Sequence, residues 1–211
     1  VGKLQFTLAW TLGRFGRAAA LQPIVKHSHQ AGASLSAAAL RALAFFATIL
    51  PHLPRRKVHV WGRAHEHPVL LWSDASWEPD DPSPAKIGWS ACVREPGQTE
   101  RWYYGYHEVS DETLRFFVRK KQYIGQLELL AAVIPYYSEP RLFAGRRVIH
   151  FIDNTAAVAG LTKGYSSRVD SAFIVHAFHA FNAGLRAEVW FEWVASKANI
   201  ADWPSRSDFR Y

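Results

Sequence analysis

The run Val69-Leu70-Leu71-Trp72-Ser73-Asp74-Ala75-Ser76 decides how the rest of the chain is read. Four large apolar residues lead into a short polar segment, the pattern of a central strand buried on both faces that delivers a carboxylate to its end. A lone Asp in such a place is ordinarily a turn or cap residue. Asp74 has company, however. Glu128 lies inside an apolar helical pattern, Asp153 closes the run Val148-Ile149-His150-Phe151-Ile152, and Asp202 stands near the C-terminus.

Outward from Asp74, residues 78–84 are rich in Asp and Pro and read as a loop. Alternating apolar residues then predict a second strand over 86–94 (Ile87, Trp89, Ala91, Val93) and a third over 101–107 (Trp102, Tyr104, Tyr106). Short loops between them imply an antiparallel meander. A polar, basic linker is expected over 110–122, then a helix over 122–137 that Pro135 kinks or ends. A fourth strand over 147–152, a short helix over 154–161 and a longer helix from about 170 to 185 follow. The fifth strand is placed at 188–194, and a helical turn over 199–203 is stopped by Pro204. This order implies an α/β fold: a mixed five-stranded sheet, antiparallel over β1-β2-β3 and parallel over β1-β4-β5, flanked by helices.

Ahead of the sheet, residues 1–68 predict a small helical subdomain. Leu4, Leu8 and Leu12 share a helical face, Gly13 and Gly16 mark a break, and Ser34 or Ser36 caps a helix ending at Pro51. This segment carries nine Lys/Arg against one acid, a net +8, whereas residues 69–211 carry 16 basic and 17 acidic side chains. The asymmetry fits either a segment that meets a polyanion or a solvated basic face. The division expected is 1–68 and 69–211.

The bulk properties exclude several classes. With 9 Trp and 13 Phe in 211 residues the chain is not disordered. No apolar run is long enough to cross a bilayer and no signal-peptide pattern opens the chain, so no membrane partner is expected. A single cysteine, Cys92, excludes an internal disulfide and fits an intracellular protein, in cytoplasm or nucleus. The absence of Met, even at position 1, predicts a processed product or a piece of something longer.

Each acid has a bland alternative. Glu128, with Ile124, Ala131 and Ala132 at helical spacing, either points inward between small residues or reaches solvent from the edge of the apolar stripe. A buried Glu is costly unless paired or metal-bound. Asp153 either ligates at a strand's carboxyl end or, like Asn154, caps the helix that follows. As a set, four carboxylates within a few ångströms of one another cannot all ionise without cations. Hard oxygen ligands select Mg²⁺ or Mn²⁺, and two such ions about 4 Å apart clamp the attacking water and leaving oxygen of a phosphodiester cleavage. The pairs His27/His29 and His65/His67 lack further ligands and read as surface or capping histidines.

Ser73-Asp74-Ala75-Ser76, Gln126-Leu127-Glu128, Asp153-Asn154-Thr155-Ala156-Ala157 and Asn199-Ile200-Ala201-Asp202-Trp203-Pro204-Ser205-Arg206 together resemble the ribonuclease H domain of retroelement reverse transcriptases, nearest to the DIRS-like, tyrosine-recombinase type. The resemblance covers about residues 69–206. Residues 1–68 more loosely resemble the thumb or connection segment before that domain. The order of the acids matters: integrases and transposases carry their Glu after the second Asp, whereas Glu128 precedes Asp153.

The resemblance implies that Asp74, Glu128, Asp153 and Asp202 are catalytic, holding two Mg²⁺ ions (Mn²⁺ as substitute) and cutting the RNA strand of an RNA–DNA hybrid to leave a 3′-hydroxyl and a 5′-phosphate. Polymerase fingers and palm, of the same or a parent protein, are the expected partners. The auxiliary His of the cellular enzymes has no counterpart in the loop 195–199. Ser76, Gln126, Asn154 and Thr155 flank the acids and are candidate contacts to 2′-hydroxyls, with Arg206 beside them. Arg119, Lys120 and Lys121, next to Phe116 and Phe117, form either a backbone-tracking patch or a solvated linker. The competing function is a non-catalytic scaffold or nucleic-acid-binding module of the same fold in a larger polymerase or ribonucleoprotein; a scaffold would have no need of a repulsive acid cluster.

Overall fold

A computed structural model describes residues 13–17, 21–28, 34–52, 67–78, 84–118 and 122–206. Val69–Ser76 (β1) is the centre of one five-stranded sheet. Lys86–Val93 (β2) and Arg101–Glu108 (β3) extend it antiparallel on one side; Arg147–Ile152 (β4) and Glu188–Trp193 (β5) extend it parallel on the other. The order β3-β2-β1-β4-β5 is the mixed sheet expected from the sequence. The described helices are Gln22–Ser28 (α1), Ala37–Ile49 (α2), Asp111–Arg115 (α3), Ile124–Ser138 (α4), Pro140–Phe143 (α5), Thr155–Lys163 (α6), Val169–Leu185 (α7) and Asp202–Ser205 (α8).

The core lies between the sheet and α4, α6 and α7. Leu71, Val148 and Ile152 from the strands meet Leu129, Ala132, Val133 and Tyr136 of α4, Leu161 of α6, and Val175 and Phe178 of α7. Ala131 and Ala132, 1% and 0% exposed, bring the α4 backbone close to the sheet. On the opposite face the described residues supply only α8, over β1 and β2. Beyond it, Trp72 stacks between Trp102 and Phe151, at centroid distances of 5.8 and 5.1 Å. β1 is therefore not buried on both faces throughout: Leu70 and Trp72 are half-buried, and both faces close only at Ser73-Asp74-Ala75.

Several local expectations are revised. Pro135 does not end α4, which runs on to Ser138. A proline there removes one backbone bond near the helix end, and the fully buried Tyr136 keeps the last turn in place. The linker over 110–122 contains α3, capped by Ser110, whose Oγ accepts from the Thr113 N–H, with Asp111 and Glu112 in the favoured first turn. α5 opens on Pro140 at its first position, where a missing N–H costs nothing. Pro204 lies within α8 rather than after it, for the same reason.

Before the sheet, Gly13 and Gly16 both adopt positive φ (61° and 77°), the break expected there. Ser36 caps α2 by accepting from the Ala39 N–H at 3.2 Å. Phe15, Leu21, Ala42 and Phe46 form a separate small cluster, and Phe15 stacks on His176 of α7. Residues 1–12 and 53–66, with Leu4, Leu8, Leu12 and the basic run 55–57, lie outside the described residues.

Candidate active site

The parallel β1–β4 ladder ends at the pair Ser73↔Ile152, so the next residues are Asp74 on β1 and Asp153 just past the end of β4. Beyond a last paired rung, parallel neighbours are free to diverge, which makes the carboxyl ends of such strands the usual place for a site. Glu128 comes down from α4, whose small residues permit the approach, and accepts a hydrogen bond from the Ala75 backbone N–H. Carboxylate oxygens of Asp74, Glu128 and Asp153 all lie within 4.8 Å of one another.

Asp74 and Glu128 are each 5% exposed. Burial, reinforced by the charges of Asp74 and Asp153, pushes the Glu128 carboxyl up to about 9. Burial also raises Asp74, to about 6; the Ser205 hydroxyl opposes that rise, and Asp153 and Asp202 add to it. Oε2 of Glu128 is buried without a hydrogen-bond partner among the described residues. Desolvated carboxylates gathered around an unpartnered oxygen make an all-oxygen donor set, which suits a hard divalent cation such as Mg²⁺ or Mn²⁺.

Asp202 is not within that trio. It opens α8, is about 39% exposed, and accepts from Arg206 Nε at 2.7 Å. Its charge still reaches Asp74, which places it at the margin of the cluster. The same ion pair occupies Arg206, whose side chain is about 65% exposed.

The flanking candidates divide. Gln126 is buried, 3% exposed, and its Nε2 donates to Asp170 Oδ2 at 2.8 Å. It ties α4 to the start of α7, and its amide nitrogen is engaged there rather than free for the expected 2′-hydroxyl contact. Ser76 Oγ donates to the Ser205 carbonyl at 2.6 Å. Asn154 caps α6, its Oδ1 accepting from the Ala157 N–H at 3.0 Å, and so takes the cap role weighed for Asp153 or Asn154. Thr155, the first residue of α6, is exposed beside Asp153. Arg119, Lys120 and Lys121 lie outside the described residues.

Two residues of the C-terminal motif not singled out as site residues, Asn199 and Ser205, also reach the site. Ser205 Oγ donates to Asp74 Oδ2 at 2.5 Å, and Asn199 Nδ2 donates to the Ser73 carbonyl at 2.9 Å and stands 3.5 Å from Asp74 Oδ1. Gly88 faces Asp74 across the β1–β2 ladder. A Cβ there would lie 2.7 Å from the Pro204 carbonyl carbon and the Ser205 Cα, so only glycine lets α8 settle on the sheet. An isolated Gly inside a strand pattern was the available signal. Beneath the site, on the helix side of β1 and β4, His150 links Ser73 (2.9 Å) to Tyr136 (3.2 Å), all three fully buried, and burial lowers the His150 imidazole to about 3.

No protein-family model matches this chain, and no curated protein does. Among solved structures, the N-terminal ribonuclease H domain of a Mycobacterium tuberculosis protein is 14% identical, with a TM-score of 0.44 over 66% of this chain and 91% of that one. Ribonuclease H1 from the archaeon Halobacterium salinarum is also 14% identical, TM-score 0.44, over 67% and 97%. A foamy viral protease–reverse transcriptase bound to an RNA/DNA hybrid is 8% identical, TM-score 0.45, over 83% of this chain and 26% of that one. At such identities the reading of function rests on the site's own geometry.

Proposed function

We propose that this chain is a divalent-cation-dependent ribonuclease H, cutting the RNA strand of RNA–DNA hybrids as part of a DIRS-like reverse transcriptase. The observation that carries the reading is the convergence of Asp74, Glu128 and Asp153, with one buried Glu128 oxygen left unpartnered. Asp74, Glu128 and Asp153 would hold Mg²⁺ or Mn²⁺, with Asp202 contributing from the margin. When bound, such a pair of ions supplies an activated water and neutralises charge on the leaving oxygen. Water adds across the P–O3′ bond, leaving a 3′-hydroxyl and a 5′-phosphate.

The chain's own groups bind and orient the strand. Thr155, exposed two residues after Asp153, is assigned to a ribose 2′-hydroxyl, the group that tells RNA from DNA. Arg119, Lys120 and Lys121 are assigned to the phosphate backbone. Residues 1–68 are assigned a thumb- or connection-like role beside polymerase domains of the same or a parent protein. Their excess of basic residues supports that assignment.

Cleavage of an end-labelled hybrid with Mg²⁺ present or chelated tests the reading. Metal-dependent nicking confined to the RNA strand, lost in Asp74→Asn and Asp153→Asn, is expected. An unmutated chain that binds hybrid yet leaves it intact with either ion would exclude catalysis.

A further inference from the structure

The C-terminal turn does more than deliver Asp202. Ser205 is fully buried, and its hydroxyl reaches Asp74 Oδ2 across 131 positions of sequence. Its carbonyl is held in turn by Ser76 Oγ, two residues beyond Asp74 on the same strand. Asn199, 4% exposed, grips the Ser73 carbonyl with Nδ2, approaches Asp74 Oδ1 with the same group, and accepts from the Ala201 N–H with Oδ1. Both carboxylate oxygens of Asp74 are thus addressed from one short segment, and Gly88 clears the space in which that segment sits.

We infer that Asn199 and Ser205 are positioning residues: a clasp that sets the rotation of the Asp74 carboxylate so that it faces Glu128 and Asp153 with a free edge toward a cation. This rests on the nuclease reading and deepens it. A carboxylate without such partners rotates and must be ordered when metal binds, which weakens binding. Partners of this outer kind typically contribute about 10–100-fold in metal affinity. The clasp also ties Asp202 to the trio, because Ser205 and Asp202 share one helical turn.

The test is calorimetric titration of the full chain with Mn²⁺, without nucleic acid, alongside unfolding of the metal-free protein. Ser205→Ala is expected to raise the Mn²⁺ Kd about tenfold or more, leaving KM for hybrid unchanged at saturating metal. Ser205→Cys, which retains a weak donor of similar size, is expected to recover part of the loss. Ser76→Ala, at a half-buried position, keeps the test open should Ser205→Ala fail to fold; it is expected to raise Kd, by less than Ser205→Ala does, as the turn loosens. A folded Ser205→Ala with the unmutated Kd would overturn the clasp while leaving the nuclease reading intact. So would an unchanged Kd in Ser76→Ala if that variant has to stand in. An unmutated chain that takes up no Mn²⁺ would remove both.

Discussion

Asp74 and Asp153 each occupy the first position beyond the last rung of the parallel β1–β4 ladder, Ser73↔Ile152. Adjacent strands that run the same way bring two carboxylates side by side wherever each carries an acid at its end. α4 then closes the third side with Glu128, against a backbone N–H of the residue after Asp74.

The raised carboxyls make stability depend on pH. Both Asp74 and Glu128 have folded values above their ordinary ones, so the folded chain binds more protons than the unfolded chain between about pH 4 and pH 9. Their contribution to stability is complete below pH 4 and is lost as pH rises through about 6 and then about 9. The metal-free protein should therefore unfold at progressively lower temperature from pH 5 to pH 9. Mg²⁺ or Mn²⁺ should flatten that slope, because ligation replaces the protons. Thermal scans with and without chelator read this directly; a slope indifferent to metal would count against a cation site.

Asp74→Asn removes the repulsion and with it the site. At pH 8 and without metal the variant should be more stable than the parent by about 1–2 kcal/mol, most of the shift in Asp74 being desolvation and like charge. Metal-dependent cleavage should disappear. Denaturant unfolding paired with the hybrid assay separates this trade from a simple folding defect.

Gly88→Ala introduces a methyl against backbone rather than against a flexible side chain. Displacing α8 should cost about 1–3 kcal/mol, as overpacking of a closed interface does. Because the turn carries Asp202 and Ser205, cleavage should fall further than stability alone accounts for. Equal stability to the parent would mean that the turn does not sit on the sheet as described.

Tyr136→Phe probes the buried chain beneath the acids. It leaves a nitrogen of His150 without its partner at 0% exposure and should cost about 1–3 kcal/mol. Mn²⁺ affinity should hold, since Tyr136 touches none of the acids. A matching loss of affinity would place the chain in the positioning of Asp74.

Arg206→Ala separates two roles for one side chain. The pair with Asp202 is largely exposed, so stability should change by no more than about 0.5 kcal/mol. If the guanidinium contacts the hybrid, KM should rise and the salt dependence of binding should weaken by about one phosphate contact. An unchanged KM would restrict it to holding Asp202.

Much of this was written locally. Strand alternation, the Asn154 and Ser36 caps, the glycine break at 13–16 and the order of strands all follow from short-range chemistry, whose period and capping act over a few residues. The approach of Glu128 to Asp74 and Asp153 was also foreseeable, because a helix faced with Ala131 and Ala132 has to lie close to the strand it covers. What the tertiary structure decided lies at longer range. Gln126 turned inward to Asp170, Asp202 stood aside with Arg206, and Ser205, three residues past a motif acid, reached Asp74 through the gap left by Gly88. No local period encodes where one turn of helix lands on a sheet; packing settles that, and with it the partners of Asp74.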